Sequence, residues 1–219
     1  MKNFIYITLI ALLFVGCKQK NENKTALSIA QKIANAHGFE NWKNVSEIQF
    51  TFNVDRGNSH FKRAWSWQPK TDAVTMITNN DTILYNRTMV DSTSLKADQG
   101  FINDKFWLLV PFQLVWDAGT TISEPVKEKA PISNIEMHKI TLTYSNNGGY
   151  TPGDAYDIYF NDDYLIKEWI YRKSNQKEAS IINTFENHQD FNGIKIALEH
   201  KKQNEDWNLN FTNVKVILE

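Results

Sequence analysis

Most of this chain consists of short runs in which apolar and polar residues alternate, separated by polar turns. In the clearest run, Ile48, Phe50 and Phe52 alternate with Gln49 and Thr51. A period of two places successive side chains on opposite faces, which indicates half-buried strands. Short turns between closely spaced strands favour an antiparallel meander. About ten strands are predicted on this basis: 48–54, 61–67, 74–78, 82–88, 140–144, 156–160, 165–171, 180–186, 194–200 and 207–216.

One amphipathic helix precedes the strands. Its apolar face repeats every three to four residues over 25–37, with Thr25 as the predicted N-cap, His37 as a structural residue in the last turn and Gly38 as the stop. A sheet of about ten strands curls around a helix or closes on itself. The predicted fold class is therefore mainly β (α+β), a curved antiparallel sheet or open β-barrel.

Residues 105–116 interrupt the strand pattern with the most hydrophobic stretch of the chain outside its N-terminus. The stretch does not alternate; Asn103 is a plausible cap for a short helix and Pro111 its end or kink. Two interpretations stay open: a plug that fills the core, or a lid over an apolar cavity. The candidate cavity residues are Arg63, Trp65, Trp67, Phe106, Trp107, Leu109, Phe112, Leu114 and Trp116.

Aromatic side chains make up 13% of the chain and include 7 tryptophans. Large aromatics in a β-rich protein indicate either a bulky core or a lined cavity. Arg63 shares a strand face with Trp65 and Trp67, and a buried arginine needs a partner. The alternatives for Arg63 are a lipid head group or an acid at the cavity rim as its partner, or a twist or bulge of the strand that exposes it to water.

Composition and motifs exclude several functions. With 24 Lys and Arg against 25 Asp and Glu, the net charge is −1 and no basic stripe suggests nucleic acid as a partner. The 5 histidines lack metal-ligand spacing, and neither a phosphate-binding loop nor a nucleophile elbow occurs. No metal, no cofactor and no catalytic residue are expected.

The N-terminus predicts export and a lipid anchor. Lys2 precedes an apolar run that ends at Cys17, the only cysteine, which is typical of a secretory signal. Leu13-Phe14-Val15-Gly16-Cys17 resembles the lipobox of bacterial lipoproteins. That resemblance implies a signal peptide over 1–16 and an acylated Cys17. The polar residues that follow predict a flexible tether over 17–24, and the remaining length predicts a single domain over 25–219.

Three segments resemble the LolA/LolB-like group of lipoprotein carriers. They are the helix end Ala36–Trp42 followed by the strand from Val45, the insertion Phe106–Pro111, and the hairpin phrases Thr184–Asn187 and Asn192–Ala197. The resemblance implies a curved antiparallel sheet around an apolar cavity that takes acyl chains and is covered by helices. A permanent anchor on Cys17 fits a LolB-type acceptor better than a soluble LolA-type shuttle.

The expected function is therefore that of a non-enzymatic envelope lipoprotein that binds an acyl chain or another hydrophobic ligand, with lipid or lipoprotein trafficking as the process. In the lipoproteins that this chain resembles, a run of acidic residues after the cysteine can direct export to the cell surface. Glu22 is the only acidic residue between Cys17 and the domain, so the resemblance implies the outer membrane facing the periplasm. Two alternatives remain: a scaffold lipoprotein with a fully packed core, and an envelope hydrolase acting on glycans or lipids.

Overall fold

A computed structural model describes residues 26–147, 150 and 152–219 of the protein. The predicted signal peptide, Cys17, the tether and Thr25 lie outside the described residues. Within them, no helix is long and apolar enough to cross a membrane.

The described residues form three α-helices and thirteen β-strands. The helices are α1 (Ile29–Ala36), α2 (Leu95–Leu108) and α3 (Val110–Trp116). The strands are β1 (Val45–Arg56), β2 (Ser59–Gln68), β3 (Ala73–Ile77), β4 (Thr82–Asn86), β5 (Thr120–Ile122), β6 (Val126–Lys129), β7 (Glu136–Tyr144), β8 (Ala155–Phe160), β9 (Ile166–Arg172), β10 (Ile181–Thr184), β11 (Glu186–Phe191), β12 (Ile194–Lys201) and β13 (Trp207–Leu218).

The strands form two antiparallel sheets that do not close on each other. The first sheet has the order β11-β12-β13-β1-β2-β3-β4, and the second has the order β10-β9-β8-β7-β5, with β6 also paired to β7. The chain passes between them at Phe185, which is buried between β10 and β11. The prediction of a mainly β, antiparallel, open fold is confirmed.

The strand count exceeds the prediction for two reasons. The predicted run 180–186 is divided at Phe185 between the two sheets, so its end belongs to β11, which continues to Phe191. Strands β5 and β6 have three and four residues, which is too short for a period of two to stand out.

Helix α1 begins later than predicted because Ser28, not Thr25, is its N-cap. The Ser28 hydroxyl accepts from Gln31 N at 3.2 Å, and the Gln31 side chain accepts from Ser28 N at 2.9 Å, which is a capping box. Gly38 ends the helix as predicted, with a φ of 92°. A Cβ at Gly38 would lie 1.8 Å from Gly193 O, so this contact between α1 and the β11–β12 turn requires glycine.

His37, which directly follows the last residue of α1, is buried and neutral. Its ring is buried and Nδ1 lies 2.9 Å from Ile33 O. Burial lowers the pKa of His37 to about 3, so the ring is neutral. The residue is structural through its packing.

The helical insertion is longer than the predicted 105–116. Helix α2 starts at Leu95, Asn103 lies inside it, and Pro111 stands in the first turn of α3, where its missing N–H leaves no bond unmade. The start of α2 escaped prediction because its buried side chains include the acids Asp98 and Asp104. An apolar period cannot reveal a helix that buries charge on more than one side.

Helices α2 and α3 lie between the two sheets and contribute to both cores. The first core joins Phe50 and Trp65 of the first sheet to Phe101 and Phe112, while the second joins Ile158 of the second sheet to α1 and α3. All members of these two buried clusters fall between Ala30 and Val216. A chain that starts at residue 24 therefore retains the packing that holds the fold together.

Candidate ligand-binding cavity

A cavity of about 570 Å³ lies where α2 and α3 face the second sheet. Five of its aromatic side chains form what we call the aromatic wall: Phe106 and Trp107 from α2, Tyr144 from β7, Tyr156 from β8 and Trp169 from β9. The other lining residues are Arg87, Gln99, Ile102, Asn103, Lys105, Gln113, Trp116, Asp117, Ala118, Ser145, Asn147, Tyr150, Tyr171 and Ile181.

The aromatic wall is a continuous set of ring contacts. Ring centroids are 4.4 Å apart for Trp107 and Trp169, 4.8 Å for Phe106 and Tyr156, and 5.0 Å for Tyr156 and Trp169. The tilted and edge-to-face geometries are those that aromatic pairs prefer. Phe106 and Trp107 are only half-buried, so the wall presents apolar surface to the cavity.

The sequence-predicted site residues separate into two groups. Phe106, Trp107 and Trp116 line the cavity. Trp65, Trp67, Leu109, Phe112 and Leu114 are buried in the two cores and do not line it. Trp65 and Trp67 lie on β2 and point into the first core. Leu109, Phe112 and Leu114 differ from the lining residues of the insertion because successive residues of a helix point in different directions.

Arg63 also lies away from the cavity, in an ion pair between β2 and α2. Its Nε and Nη2 donate to the two carboxylate oxygens of Asp104 at 2.5 and 2.6 Å, and Nη2 donates to Gly100 O at 3.3 Å. Trp65 Nε1 donates to Asp104 at 2.8 Å. Of the alternatives open for Arg63, the structure shows an acidic partner, one that joins the helix to the sheet. Burial raises the pKa of Asp104, and Arg63 opposes that rise.

Comparison with known proteins gives a likeness in fold. No family model matches the chain, and no curated protein matches it. A LolA superfamily protein from Nitrosomonas europaea superposes with a TM-score of 0.51 at 9% identity, over 88% of this chain and 94% of that one. The fold is LolA-like.

Two further solved structures superpose less closely. A putative outer membrane lipoprotein-sorting protein domain from Vibrio parahaemolyticus has a TM-score of 0.48 at 12% identity, over 86% of this chain and 90% of that one. A DUF1329 family protein from Desulfovibrio piger has a TM-score of 0.46 at 8% identity, over 86% and 91%. At such identities a likeness concerns the fold and not the function.

Among the residues that the structure describes, the cavity lining has one cation without an anionic partner. Lys105 is 8% exposed and its Nζ lies over the rings of Trp67 and Trp116, at 5.7 and 5.6 Å from their centroids. Among the described residues, no carboxylate oxygen lies within 4.0 Å of this nitrogen. Burial, with a contribution from the nearby Arg87 charge, lowers the pKa of Lys105 to about 8.

The other charged groups near the cavity are already paired. Arg87 Nε donates to Asp98 at 3.0 Å, and Asp98 also accepts from the hydroxyls of Tyr85 and Tyr150. These contacts join α2 to the end of the first sheet and to the loop after β7. The carboxylate of Asp98 is therefore engaged by groups of the protein and is not available to a ligand in the cavity.

Asp117, in the cavity lining, also has its partners within the protein. Its carboxylate accepts from the Tyr144 hydroxyl at 2.5 Å. Gln113, turned so that its amide nitrogen faces the acid, donates to it at 2.9 Å. Burial and this carboxylate raise the pKa of Tyr144, which therefore stays protonated as a donor.

Three buried ring nitrogens near the cavity also lack a partner among the described residues: Trp67 Nε1, Trp169 Nε1 and His200 Nε2. Trp169 belongs to the aromatic wall, Trp67 packs beside Lys105 and Trp116, and the His200 ring lies 5.4 Å behind that of Trp107. Such groups are uncommon in folded proteins. Together with Lys105, they are buried polar groups around the cavity for which the described residues supply no partner.

Lys105 and the three residues of the aromatic wall that lie on strands were not identified from the sequence. Lys105 is the one charged residue in the hydrophobic stretch 105–116, and a lone charge in such a stretch could have marked it as a candidate site residue. Tyr144, Tyr156 and Trp169 lie on separate strands, so only their pairing in the sheet brings them together.

Among the described residues, no three His, Cys, Asp or Glu side chains are grouped to hold a metal ion. What the lining does offer is aromatic surface and one partnerless ammonium group.

Proposed function

We propose that this protein is an envelope lipoprotein that holds an acyl chain or another hydrophobic ligand in the cavity between α2, α3 and the second sheet. In this proposal residues 1–16 are a signal peptide, Cys17 carries the lipid anchor, 17–24 are the tether and 25–219 are the ligand-binding domain. The protein acts without catalysis, at the outer membrane facing the periplasm, in lipid or lipoprotein trafficking. The LolA-like fold and the lipobox resemblance support this assignment.

The observation that carries the proposal is the cavity beside the aromatic wall. Its volume of about 570 Å³ falls in the range of small-molecule sites. Each methylene of a ligand that leaves water for this surface contributes about 0.8 kcal/mol, so a chain of moderate length is held without any polar contact. A scaffold protein with a fully packed core would not contain such a cavity.

Native mass spectrometry of residues 24–219 expressed in bacteria, followed by solvent extraction, tests the cavity. We expect a bound lipid of defined mass that is lost in Trp107→Gln. Leu84→Gln is the matched control, because Leu84 is 74% exposed on β4 and does not line the cavity. A protein without lipid, even after incubation with envelope lipids, would instead favour the scaffold function.

The anchor is tested separately in the full-length chain. We expect metabolic labelling with an alkynyl fatty acid to mark the wild type and not Cys17→Ser, and the variant to leave the membrane fraction. Equal labelling of both chains would remove the anchor from the proposal and leave the cavity untouched.

A further inference from the structure

We propose that the natural ligand carries an anionic head group, a carboxylate or phosphate, that binds Lys105. This inference rests on the proposed function and adds the chemical class of the ligand. It starts from the only lining cation that the described residues leave without an anionic partner.

The environment of Lys105 is costly for a cation that serves only the fold. Burying an ammonium group without a paired anion is strongly unfavourable. The indole faces of Trp67 and Trp116 offset part of that cost through cation–π attraction. They do not accept its N–H groups in the way that a carboxylate or phosphate oxygen does.

The neighbouring charges cannot take the place of a ligand. Arg87 is neutralised by Asp98, and Asp117 has its oxygens engaged by Tyr144 and Gln113. Asp117 keeps its negative charge, but it acts on Lys105 from beyond the 4.0 Å of an ion pair. Among the described residues, the N–H donors of Lys105 are therefore left for an incoming anion to engage, whereas a cationic head group would meet the charges of Lys105 and Arg87 in the same lining.

The aromatic wall provides a surface against which an apolar tail attached to the anion can pack. Lys105 lines the same cavity as Phe106 and Trp107, which follow it in α2. A ligand with an anionic head and a hydrocarbon tail satisfies both, whereas a neutral hydrocarbon leaves Lys105 unpaired. Lys105 still binds its proton at neutral pH because burial lowers its pKa only to about 8.

The test compares three amphiphiles of equal tail length by calorimetric titration of residues 24–219 near neutral pH: dodecanoate, dodecanol and dodecyltrimethylammonium. We expect wild-type protein to bind dodecanoate about tenfold more tightly than dodecanol, and the cation most weakly. Lys105→Met should reduce the preference for the anion to about twofold or less. Lys105→Arg should keep it, since the charge is retained.

Lys62→Met is the matched control, because Lys62 is exposed on β2 outside the cavity and its loss should leave the preference unchanged. Equal binding of dodecanoate and dodecanol by wild type, or an unchanged preference in Lys105→Met, would overturn the inference and leave the proposed function standing. Failure of all three amphiphiles to bind would overturn both. Dodecyl phosphate, titrated in parallel, separates a phosphate head group from a carboxylate by which of the two binds more tightly.

Discussion

The two sides of helix α2 differ in whether a buried charge is paired within the protein. On the side of the first sheet, Asp104 is fully buried and accepts from Arg63 and Trp65, so every charge has its partner within the chain. On the cavity side, the next residue, Lys105, is almost as buried and has no anionic partner among the described residues. A charge that the fold needs is paired by the fold, and a charge left open beside a cavity is available to a ligand.

The largest expected effect on stability comes from breaking the Arg63–Asp104 ion pair. Asp104→Ala leaves Arg63 without its anion and Trp65 without its acceptor, so we expect the free energy of unfolding to fall by about 3 kcal/mol. Urea unfolding monitored by circular dichroism measures it. Arg63→Met with Asp104→Leu removes both charges together and should cost clearly less than Asp104→Ala alone. A loss in the double variant equal to the sum of the losses in Arg63→Met and Asp104→Leu, each made alone, would show that the pair is not coupled.

An intermediate effect concerns pH and the cavity side. Burial lowers the pKa of His200 to about 3 from its ordinary 6.5. Below pH 6.5 the unfolded chain binds a proton that the folded chain does not, so stability is lost as the pH falls from 6.5 towards 3. We expect His200 to contribute a loss of about 2 kcal/mol between neutral pH and about pH 5.

The variant His200→Phe isolates that contribution, since a phenyl ring suits the neighbouring Trp107 and Phe185. We expect unfolding free energies across the pH series to show a shallower slope than wild type. The remaining slope reflects His37 and His188, whose pKa values burial lowers to about 3 and about 4. The account of His200 as a buried neutral ring fails if the slope is unchanged.

The smallest effect contrasts Lys105 with Arg63 directly. Lys105→Met replaces a partnerless buried ammonium by an apolar side chain of similar length, so we expect the ligand-free protein to gain about 1 kcal/mol. Lys105→Arg keeps the charge and should give no gain. Loss of several kcal/mol in Lys105→Met would place Lys105 with Arg63 as an ion that the fold requires.

Sequence patterns predict the parts of this fold that depend on local periodicity. The alternation around Ile48, Phe50 and Phe52 predicts β1, and Gly38 marks the end of α1. The start of α2 was not predictable, because the buried charge of Asp104 is explained only by Arg63, forty-one residues away along the chain. The same limit applied to the site: Phe106 and Trp107 were visible in one segment, but Trp169 joins them only through tertiary packing.

The most direct test is a crystal structure of residues 24–219 with ω-bromododecanoate, located by anomalous scattering from bromine. The account predicts a carboxylate within hydrogen-bonding distance of Lys105 Nζ and a bromine peak inside the cavity, beside the aromatic wall. A bromine peak elsewhere on the protein, with the cavity filled by water or closed by Trp107, would contradict it.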